Sequence, residues 1–232
     1  MSPIGWEIET LKLLGMFAKY WEPGAVKTRL AETLGEQPAA RIYRAFVETL
    51  LRRLTEVGDR QVLAFSPSDR ETAFQRGAEN WELQPQLAVG DLGARMQHFF
   101  ESAIRDGYRH VVLIGSDSPD LPLALLAQAF DQLRDYPVVL GPSLDGGYYL
   151  VGAADRVPPI FDDMPWSSPR LWERTTARLA EHQCRFAELP AWYDVDTVAD
   201  LGVLQQKLSA STTDPWLDHL RSLVDQCLHD NT

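Results

Sequence analysis

The chain contains the stretch HVVLIGSDSPDLP at residues 110–122, in which an apolar run suited to a buried strand leads directly into a polar turn. Similar short apolar runs, each bounded by turn residues, lie at residues 11–18, 61–65, 138–140, 148–151 and 185–189. Segments with helical spacing of apolar residues lie between them, at residues 38–57, 94–105, 123–133, 171–181 and 198–208. This alternation predicts an α/β fold in which a mostly parallel, mixed sheet carries helices on both faces.

Length and composition predict one domain with one active site. The chain has 232 residues, of which 45% are hydrophobic, enough to fill a single core. We expect that domain to span residues 1–232, with its core in residues 11–208 and a C-terminal helix within residues 209–232, where helical spacing covers 215–229. The formal net charge of −11 repels phosphate backbones and acidic lipids, so nucleic acid and anionic membranes are poor partners.

Cysteine usage and hydropathy predict a cytoplasmic protein. Cys184 and Cys227 occur in no metal-binding or CxxC spacing, which excludes a zinc site or disulfide framework of the usual pattern. Residues 1–10 include Glu7 and Glu9 and contain no apolar run typical of an export signal. No stretch approaches the roughly 20 apolar residues that span a bilayer. The sequence leaves the oligomeric state open, with a homodimer as one option.

The first predicted strand runs into the loop of FAKYWEPGAVKTRL, residues 17–30, which is rich in cations for so acidic a protein. Lys19, Lys27 and Arg29 flank a Pro-Gly turn, and the loop leads into a helix start. Free backbone N–H groups and cationic side chains of this kind bind phosphate oxygens. A solvated basic loop is the alternative interpretation. The loop lacks the GxxxxGK[ST] pattern of a Walker motif.

Asp117 follows the predicted strand at residues 110–114 and is our first candidate for a metal ligand. An aspartate at the carboxyl edge of a parallel sheet is well placed to hold Mg²⁺, which prefers oxygen ligands. The alternative is that Asp117 closes a turn. For Asp120 we expect a structural role, as the cap of the helix that begins near Pro122.

Two further acidic segments are candidates for the same site. In LDGGYYL, residues 144–150, Asp145 precedes two glycines and two tyrosines, although Asp-Gly is also a common hairpin turn. In DVDT, residues 194–197, Asp194 and Asp196 stand one residue apart before a helix, where Thr197 and Asp200 resemble a capping box. Two carboxylates this close repel each other unless a cation or their exposure to solvent relieves the repulsion, and a metal shared with Asp117 is the hypothesis we adopt.

Six blocks of the sequence resemble one family. The blocks are FAKYWEPGAVKTRL, GDLGARM, LIGSDSPDLP, LDGGYYL, MPWSSPR and DVDT, and they occur in family order over about residues 11–208. They are similar to the bacterial family DUF2064, which includes transferases associated with radical-SAM and selenium genes. That family belongs to the nucleotide-diphospho-sugar transferase superfamily, so the resemblance implies the three-layer GT-A fold. The chain departs from the family pattern at Trp21, Ser118 and residues 198–199, none of which is a proposed ligand.

The resemblance implies a nucleotide bound over the amino half of the sheet, with Mg²⁺ or Mn²⁺ as cofactor. The residues expected to bind the nucleotide and its phosphates are Ala18, Lys19, Lys27, Arg29, Asp91, Leu92, Gly93 and Ser116. The expected metal ligands are Asp117, Asp194 and Asp196. The expected acceptor side comprises Asp145, Gly146, Gly147, Tyr148 and Trp166, and the expected catalytic residues are Asp117, Asp145 and Lys27.

The resemblance leaves three functions open. The favoured one is glycosyl transfer from a nucleotide-diphosphate sugar to a small-molecule acceptor. The alternative is nucleotidyl transfer, in which an NTP and a phosphorylated small molecule react and pyrophosphate leaves. The KTRL segment at residues 27–30 supports it, because it is similar to the guanylyltransferases of deazaflavin cofactor synthesis. The third function is nucleotide binding without catalysis.

Overall fold

The structure is a computed structural model that describes residues 10–209 and 213–229. The acidic start of the chain that bears on export, residues 1–9, lies outside the described residues. The same holds for residues 210–212 and 230–232 of the expected C-terminal segment. Within the described ranges no helix is both long and apolar enough to cross a membrane.

Strands and helices alternate along the chain, which confirms the predicted α/β class. The strands are β1 (Lys12–Lys19), β2 (Arg60–Ser66), β3 (Glu82–Pro85), β4 (His110–Ile114), β5 (Val138–Pro142), β6 (Tyr148–Ala154) and β7 (Phe186–Glu188). The helices are α1 (Thr28–Leu34), α2 (Glu36–Arg53), α3 (Glu71–Gln75), α4 (Leu92–Arg105), α5 (Leu123–Gln132), α6 (Leu171–Glu181), α7 (Val198–Ser209) and α8 (Pro215–His229). A short 3-10 turn, Ser68–Arg70, precedes α3.

The strands form one mixed sheet in the order β3-β2-β1-β4-β6-β5-β7. Strand β6 is antiparallel to both β4 and β5, and all the other neighbouring strands are parallel. From β1 the chain builds outward through β2 and β3 and then returns to place β4 on the other side of β1. Ligands of open α/β sheets bind at such a switch in strand order, outside the carboxyl ends of the strands.

Helices cover both faces of the sheet, so the fold has three layers. One buried cluster joins the sheet to α1, α2, α3, α5, α7 and α8. The other joins the opposite face of the sheet to α4 and α6. The near-continuous burial of β1, β2 and β4 follows from this double cover and explains why their sequences are apolar without alternation.

Strand β3 and helix α3 were not predicted from the sequence, and α1 was indicated only as a helix start after the cationic loop. Strand β3 pairs on one side only, with β2, and its sequence ELQP carries no apolar run. Helices α1 and α3 are too short for a clear apolar period. Helix α2 also begins before the predicted start at Pro38, because a proline in the first turn lacks only an N–H that would have no partner within the helix.

Candidate active site

A cavity of about 880 Å³ opens at the carboxyl ends of β1 and β4, at the switch in strand order. Its volume lies in the range of small-molecule sites. Most of the residues expected from the sequence line it, namely Ala18, Lys19, Lys27, Arg29, Leu92, Ser116, Asp117, Asp145, Gly147, Tyr148, Trp166, Asp194 and Asp196. Segments far apart in sequence therefore converge on one space.

Three of the expected residues, Asp91, Gly93 and Gly146, do not line the cavity themselves. Asp91 caps α4, because its Oδ1 accepts a hydrogen bond of 2.9 Å from the Ala94 N–H. Gly93 lies under Trp166, and a Cβ at this position would come within 2.7 Å of the indole ring. Gly146 has φ 93° and lies against Pro169, where a Cβ would meet the carbonyl oxygen at 2.3 Å. These residues support the wall.

Lys27 occupies the centre of the candidate site. Its Nζ lies 2.5 Å from Asp117 Oδ1 and 2.8 Å from Asp196 Oδ1. The Lys27 side chain is only 3% exposed, whereas those of Asp117 and Asp196 are 46% and 39% exposed. The ammonium therefore lies behind the two carboxylates, which present their free surface to the cavity.

The surroundings of Lys27 keep its ammonium charged. Burial by itself lowers the pKa of the side chain, but the charges of Asp117 and Asp196 outweigh burial and raise that pKa above its ordinary value. The rings of Tyr43 and Phe46 on α2 lie 5.9 and 5.8 Å from Nζ, close enough for cation–π attraction. The backbone of Lys27 is left-handed, with φ 47° and ψ 46°, where it begins α1.

Direct contacts between two loops bring Asp117 and Asp196 together. The Val195 N–H donates to the Asp117 carbonyl oxygen at 2.9 Å, which fixes the segment after β7 beside the loop after β4. The Ser118 hydroxyl lies within hydrogen-bonding distance of the Tyr193 carbonyl and of Asp194 Oδ1, at 2.9 and 2.8 Å. The two carboxylates that contact Lys27 are therefore positioned by backbone pairing.

Asp194 is oriented differently from the other two carboxylates. Burial, followed by the nearby charge of Asp117, raises the pKa of Asp194 to about 6. One of its oxygens is taken up by Ser118. In residues 10–209 and 213–229, no three acidic, histidine or cysteine side chains form a group that could hold a metal ion. The metal set of Asp117, Asp194 and Asp196 stays a prediction.

The short-range interactions predicted near this site have different outcomes. The capping box is present: Asp200 Oδ2 accepts from the Thr197 N–H at 2.8 Å, and the Asp200 N–H donates to Thr197 Oγ1 at 3.3 Å. The predicted cap by Asp120 is wrong, because Pro122 stands at the start of α5 without a side-chain cap bond. Asp120 instead accepts a hydrogen bond of 2.6 Å from the Tyr193 hydroxyl.

Asp145 belongs to the hairpin between β5 and β6 and also lines the cavity. Its Oδ1 accepts a hydrogen bond of 3.0 Å from the Gly147 N–H and is in contact with the Ser143 hydroxyl. Its Oδ2 receives no hydrogen bond from the part of the chain that the structure describes. Asp145 therefore belongs to the hairpin turn and also lines the candidate site.

Tyr43 is a cavity residue that the sequence did not reveal. Its hydroxyl accepts from the Lys19 N–H at 3.0 Å and lies 2.7 Å from Ser116 Oγ, linking the ends of β1 and β4. Burial raises the pKa of this phenol to about 12, so it stays protonated. The tyrosine occupies a core position in the apolar pattern of α2, and that pattern gives no hint that its hydroxyl reaches the site.

Comparison with known proteins gives matches of two kinds. Residues 49–168 match the family described as "Uncharacterized protein conserved in bacteria (DUF2064)". A crystal structure of a protein from Desulfovibrio desulfuricans G20, provisionally called a nucleotide-diphospho-sugar transferase, is 35% identical with a TM-score of 0.82. That alignment covers 93% of this chain and 97% of the other. No curated protein matches the chain.

More distant solved structures share the fold. A cytidylyltransferase from Leptospira borgpetersenii is 13% identical with a TM-score of 0.57, and the alignment covers 95% of this chain and 96% of that one. A CMP:2-keto-3-deoxy-manno-octonic acid synthetase complexed with CTP is 14% identical with a TM-score of 0.56, covering 86% and 98%. At these identities the similarity establishes the fold alone.

Proposed function

The chain belongs to the DUF2064 family, and on that premise we propose that it is a transferase that uses a nucleotide donor and a small-molecule acceptor. The favoured reaction is glycosyl transfer from a nucleotide-diphosphate sugar. The supporting observation is that one cavity combines exposed cations, a pair of carboxylates around Lys27, and the separate carboxylate Asp145. A diphosphate leaving group needs charge neutralisation, and an acceptor hydroxyl needs a base.

The exposed cations Lys19 and Arg29 are the proposed phosphate ligands. Lys19 is exposed at the end of β1, and the Arg29 side chain is 71% exposed at the start of α1. The Arg29 guanidinium approaches Asp196 only to 4.0 Å, so it remains available to a phosphate. Lys27 is held by two carboxylates, and we propose that it positions Asp117 and Asp196 in the nucleotide-free protein and contributes positive charge when phosphates enter.

Asp117 and Asp196 fit a divalent cation in charge and in ligand type. Both carboxylates already converge on one positive centre, the Lys27 ammonium, and carboxylate oxygen is the ligand that Mg²⁺ and Mn²⁺ prefer. We propose these two residues as ligands, with Asp194 beside them. A divalent cation bound there would neutralise charge on the departing diphosphate.

Asp145 is the proposed residue for the acceptor. Its Oδ1 is held by the hairpin, which fixes the carboxylate, and its Oδ2 is available to accept a proton from an acceptor hydroxyl. The rings of Tyr148 and Trp166 pack edge to face with their centroids 6.3 Å apart, and they would form the apolar part of the same subsite.

Nucleotidyl transfer is the second candidate. The cytidylyltransferase and synthetase folds described above support it, together with the cationic loop after β1. In that reaction an NTP donates its nucleotidyl group and pyrophosphate leaves. The two candidates differ in donor and in leaving group, so they can be separated by experiment.

The test is a panel of NTPs and nucleotide-diphosphate sugars, each with Mg²⁺ or Mn²⁺, in which the melting temperature of the protein is measured. Glycosyl transfer predicts stabilisation by at least one nucleotide-diphosphate sugar and release of a nucleoside diphosphate with an acceptor. Stabilisation by an NTP with release of pyrophosphate would favour the second candidate instead. Binding without turnover would support a non-catalytic protein, and no binding would contradict the proposal.

Two substitutions sharpen this test. Asp117→Asn removes a charged oxygen ligand and should weaken metal-dependent nucleotide binding at least tenfold by calorimetry. Asp145→Asn should leave nucleotide affinity within about twofold while turnover falls by a factor of about 10² to 10⁴, the usual contribution of a general base. Unchanged affinity in the first variant, or unchanged turnover in the second, would contradict the corresponding role.

A further inference from the structure

One wall of the cavity carries buried hydrogen-bond donors without partners. Arg95 Nε, the Tyr148 hydroxyl and Trp166 Nε1 are buried side-chain atoms that find no hydrogen-bond partner among the residues described. All three side chains line the cavity of about 880 Å³. Buried polar groups are nearly always paired, so a cluster of unpaired ones at a cavity points to a ligand that pairs them.

The three side chains come from separate elements. Arg95 lies in the first turn of α4, Tyr148 is the first residue of β6, and Trp166 lies in the loop before α6. The Tyr148 and Trp166 rings pack edge to face with their centroids 6.3 Å apart. Trp166 also lies over Gly93, two residues before Arg95. We call these three residues the donor wall.

The donor wall offers hydrogen-bond donors and one positive charge. A guanidinium and an indole N–H can only donate hydrogen bonds. Burial raises the pKa of the Tyr148 phenol above its ordinary value, so its hydroxyl also remains a donor. Arg95 forms no ion pair with any carboxylate in residues 10–209 and 213–229, and it therefore brings an uncompensated positive charge to the wall. Several donors and one positive charge suit the oxygen atoms of an anion.

The rest of the cavity determines where an acidic substrate can lie. Asp117, Asp194 and Asp196 bring negative charge to the same cavity, and Lys27 is already engaged by Asp117 and Asp196. Without a bound cation these carboxylates repel a carboxylate or phosphate on the substrate, whereas Arg95 attracts it. Asp145 is three residues before Tyr148, which places the proposed base next to the donor wall.

We propose that the donor wall is an anion subsite and that the second substrate of the transferase is an acidic small molecule, bound through a carboxylate or phosphate group. This rests on the proposed transferase function. It narrows the acceptor from any hydroxyl compound to one that carries a negative charge beside the reacting hydroxyl. For nucleotidyl transfer, in which the acceptor is already phosphorylated, it assigns the donor wall as the place where an anionic group of that acceptor binds.

Anion binding is tested first without any nucleotide. Inorganic phosphate, malonate and phosphoglycolate are titrated into the protein by calorimetry. Binding by phosphate alone or by malonate alone would identify which group the wall accepts, and phosphoglycolate offers both. We expect at least one probe to bind the wild type. If none of the three binds, the subsite is refuted even where nucleotides bind well.

Matched variants then test each residue of the donor wall. Arg95→Met keeps the apolar stem and should weaken the bound probe at least tenfold, whereas Tyr148→Phe and Trp166→Phe should weaken it several-fold. Arg41→Met, on the exposed surface of α2 away from the cavity, is the control and should change nothing. The melting temperature of Tyr148→Phe should not fall, since the phenol has no partner to lose. Wild-type affinity in all three donor variants would overturn the proposal.

Nucleotide binding distinguishes this proposal from its premise. The donor-wall variants should keep wild-type affinity for the nucleotide that stabilises the protein and should raise the KM of an acidic acceptor with little change in kcat. An equal loss of nucleotide affinity in Arg95→Met would mean that the wall holds the donor phosphates, and the acceptor assignment would fall. Absence of any nucleotide binding would refute the transferase function, while the probe titration would still decide the anion subsite.

Discussion

At the scale of single residues, the contact of Lys27 with Asp117 and Asp196 dominates the site. The Lys27 side chain is only 3% exposed and its backbone is left-handed, and both features cost free energy of folding. Strained residues of this kind concentrate at functional positions. The ammonium neutralises two carboxylates that would otherwise repel each other. The free protein therefore keeps its metal candidates close together with a cation of its own.

Replacing Lys27 should expose that repulsion. In Lys27→Met the two carboxylates lose their counter-charge, and we expect a loss of about 2 kcal/mol in the free energy of unfolding, less than for a fully buried pair because both carboxylates are partly exposed. Mn²⁺ should stabilise this variant more than the wild type. Thermal unfolding with and without Mn²⁺ measures both effects, with Lys12→Met at the far end of β1 as the control. An unchanged melting temperature without metal would contradict the role.

Asp194 gives a prediction about pH. Its pKa of about 6 in the folded protein means that the folded state keeps a proton that the unfolded chain has released, so the wild type loses stability as the pH rises from about 4 through 6. Asp194→Asn removes this loss and still accepts the Ser118 hydrogen bond. The variant should match the wild type near pH 4 and exceed it by about 2 kcal/mol at pH 7.5. Urea unfolding at both pH values checks this, and a pH-independent difference would refute it.

At the scale of elements, the loop after β4 and the segment between β7 and α7 act as one unit. They are joined by the Val195–Asp117 backbone hydrogen bond and by Ser118, and the capping box begins α7 immediately afterwards. The carboxylate arrangement thus depends on hydrogen bonds outside the cavity.

Ser118→Ala should separate the two segments slightly. The Ser118 hydroxyl has one proton to donate, to the Tyr193 carbonyl or to Asp194, so its loss leaves one of these acceptors short of a donor, which costs about 1 kcal/mol. We also expect several-fold weaker metal-dependent nucleotide binding, because Asp194 and Asp196 lose their support. Calorimetry and denaturant unfolding are the measurements, and Ser222→Ala on the exposed side of α8, outside the cavity, is the control. Wild-type nucleotide affinity would limit Ser118 to a structural role.

Elements with a strong local signal were predictable from the sequence, and contacts between distant segments were not. The capping box at Thr197 and Asp200 was predictable because both partners lie within one turn. The partner of Asp120 is Tyr193, 73 residues away, and no local pattern reveals it. The burial of Lys27 depends likewise on Asp196, 169 residues away, so the sequence indicated a free phosphate-binding lysine.

At the scale of the whole molecule, α8 belongs to the same buried cluster as α2 and α7. Leu220 and Val224 of α8 are fully buried there. This packing supports the expectation that the C-terminal helix and the sheet form one domain, which we propose and which can be measured.

Leu220→Ala should therefore destabilise the entire protein. A fully buried leucine truncated to alanine costs about 2 to 5 kcal/mol, and in a single domain the melting curve shifts as one transition. Nucleotide affinity measured well below the melting temperature should not change. Val203→Ala, 45% exposed on α7, should have little effect. Two transitions by calorimetry, with only one of them shifted, would show that α8 unfolds separately.

The short strands at the two ends of the sheet have a consequence for the behaviour of the protein at high concentration. Strand β3 has four residues and ends in Pro85, and β7 has three. Unpaired edge strands are templates on which other chains can add, and brevity and proline both oppose such growth. The long, apolar strands lie inside the sheet, where both neighbours are already in place. The order of the strands thus protects this chain against aggregation through open backbone.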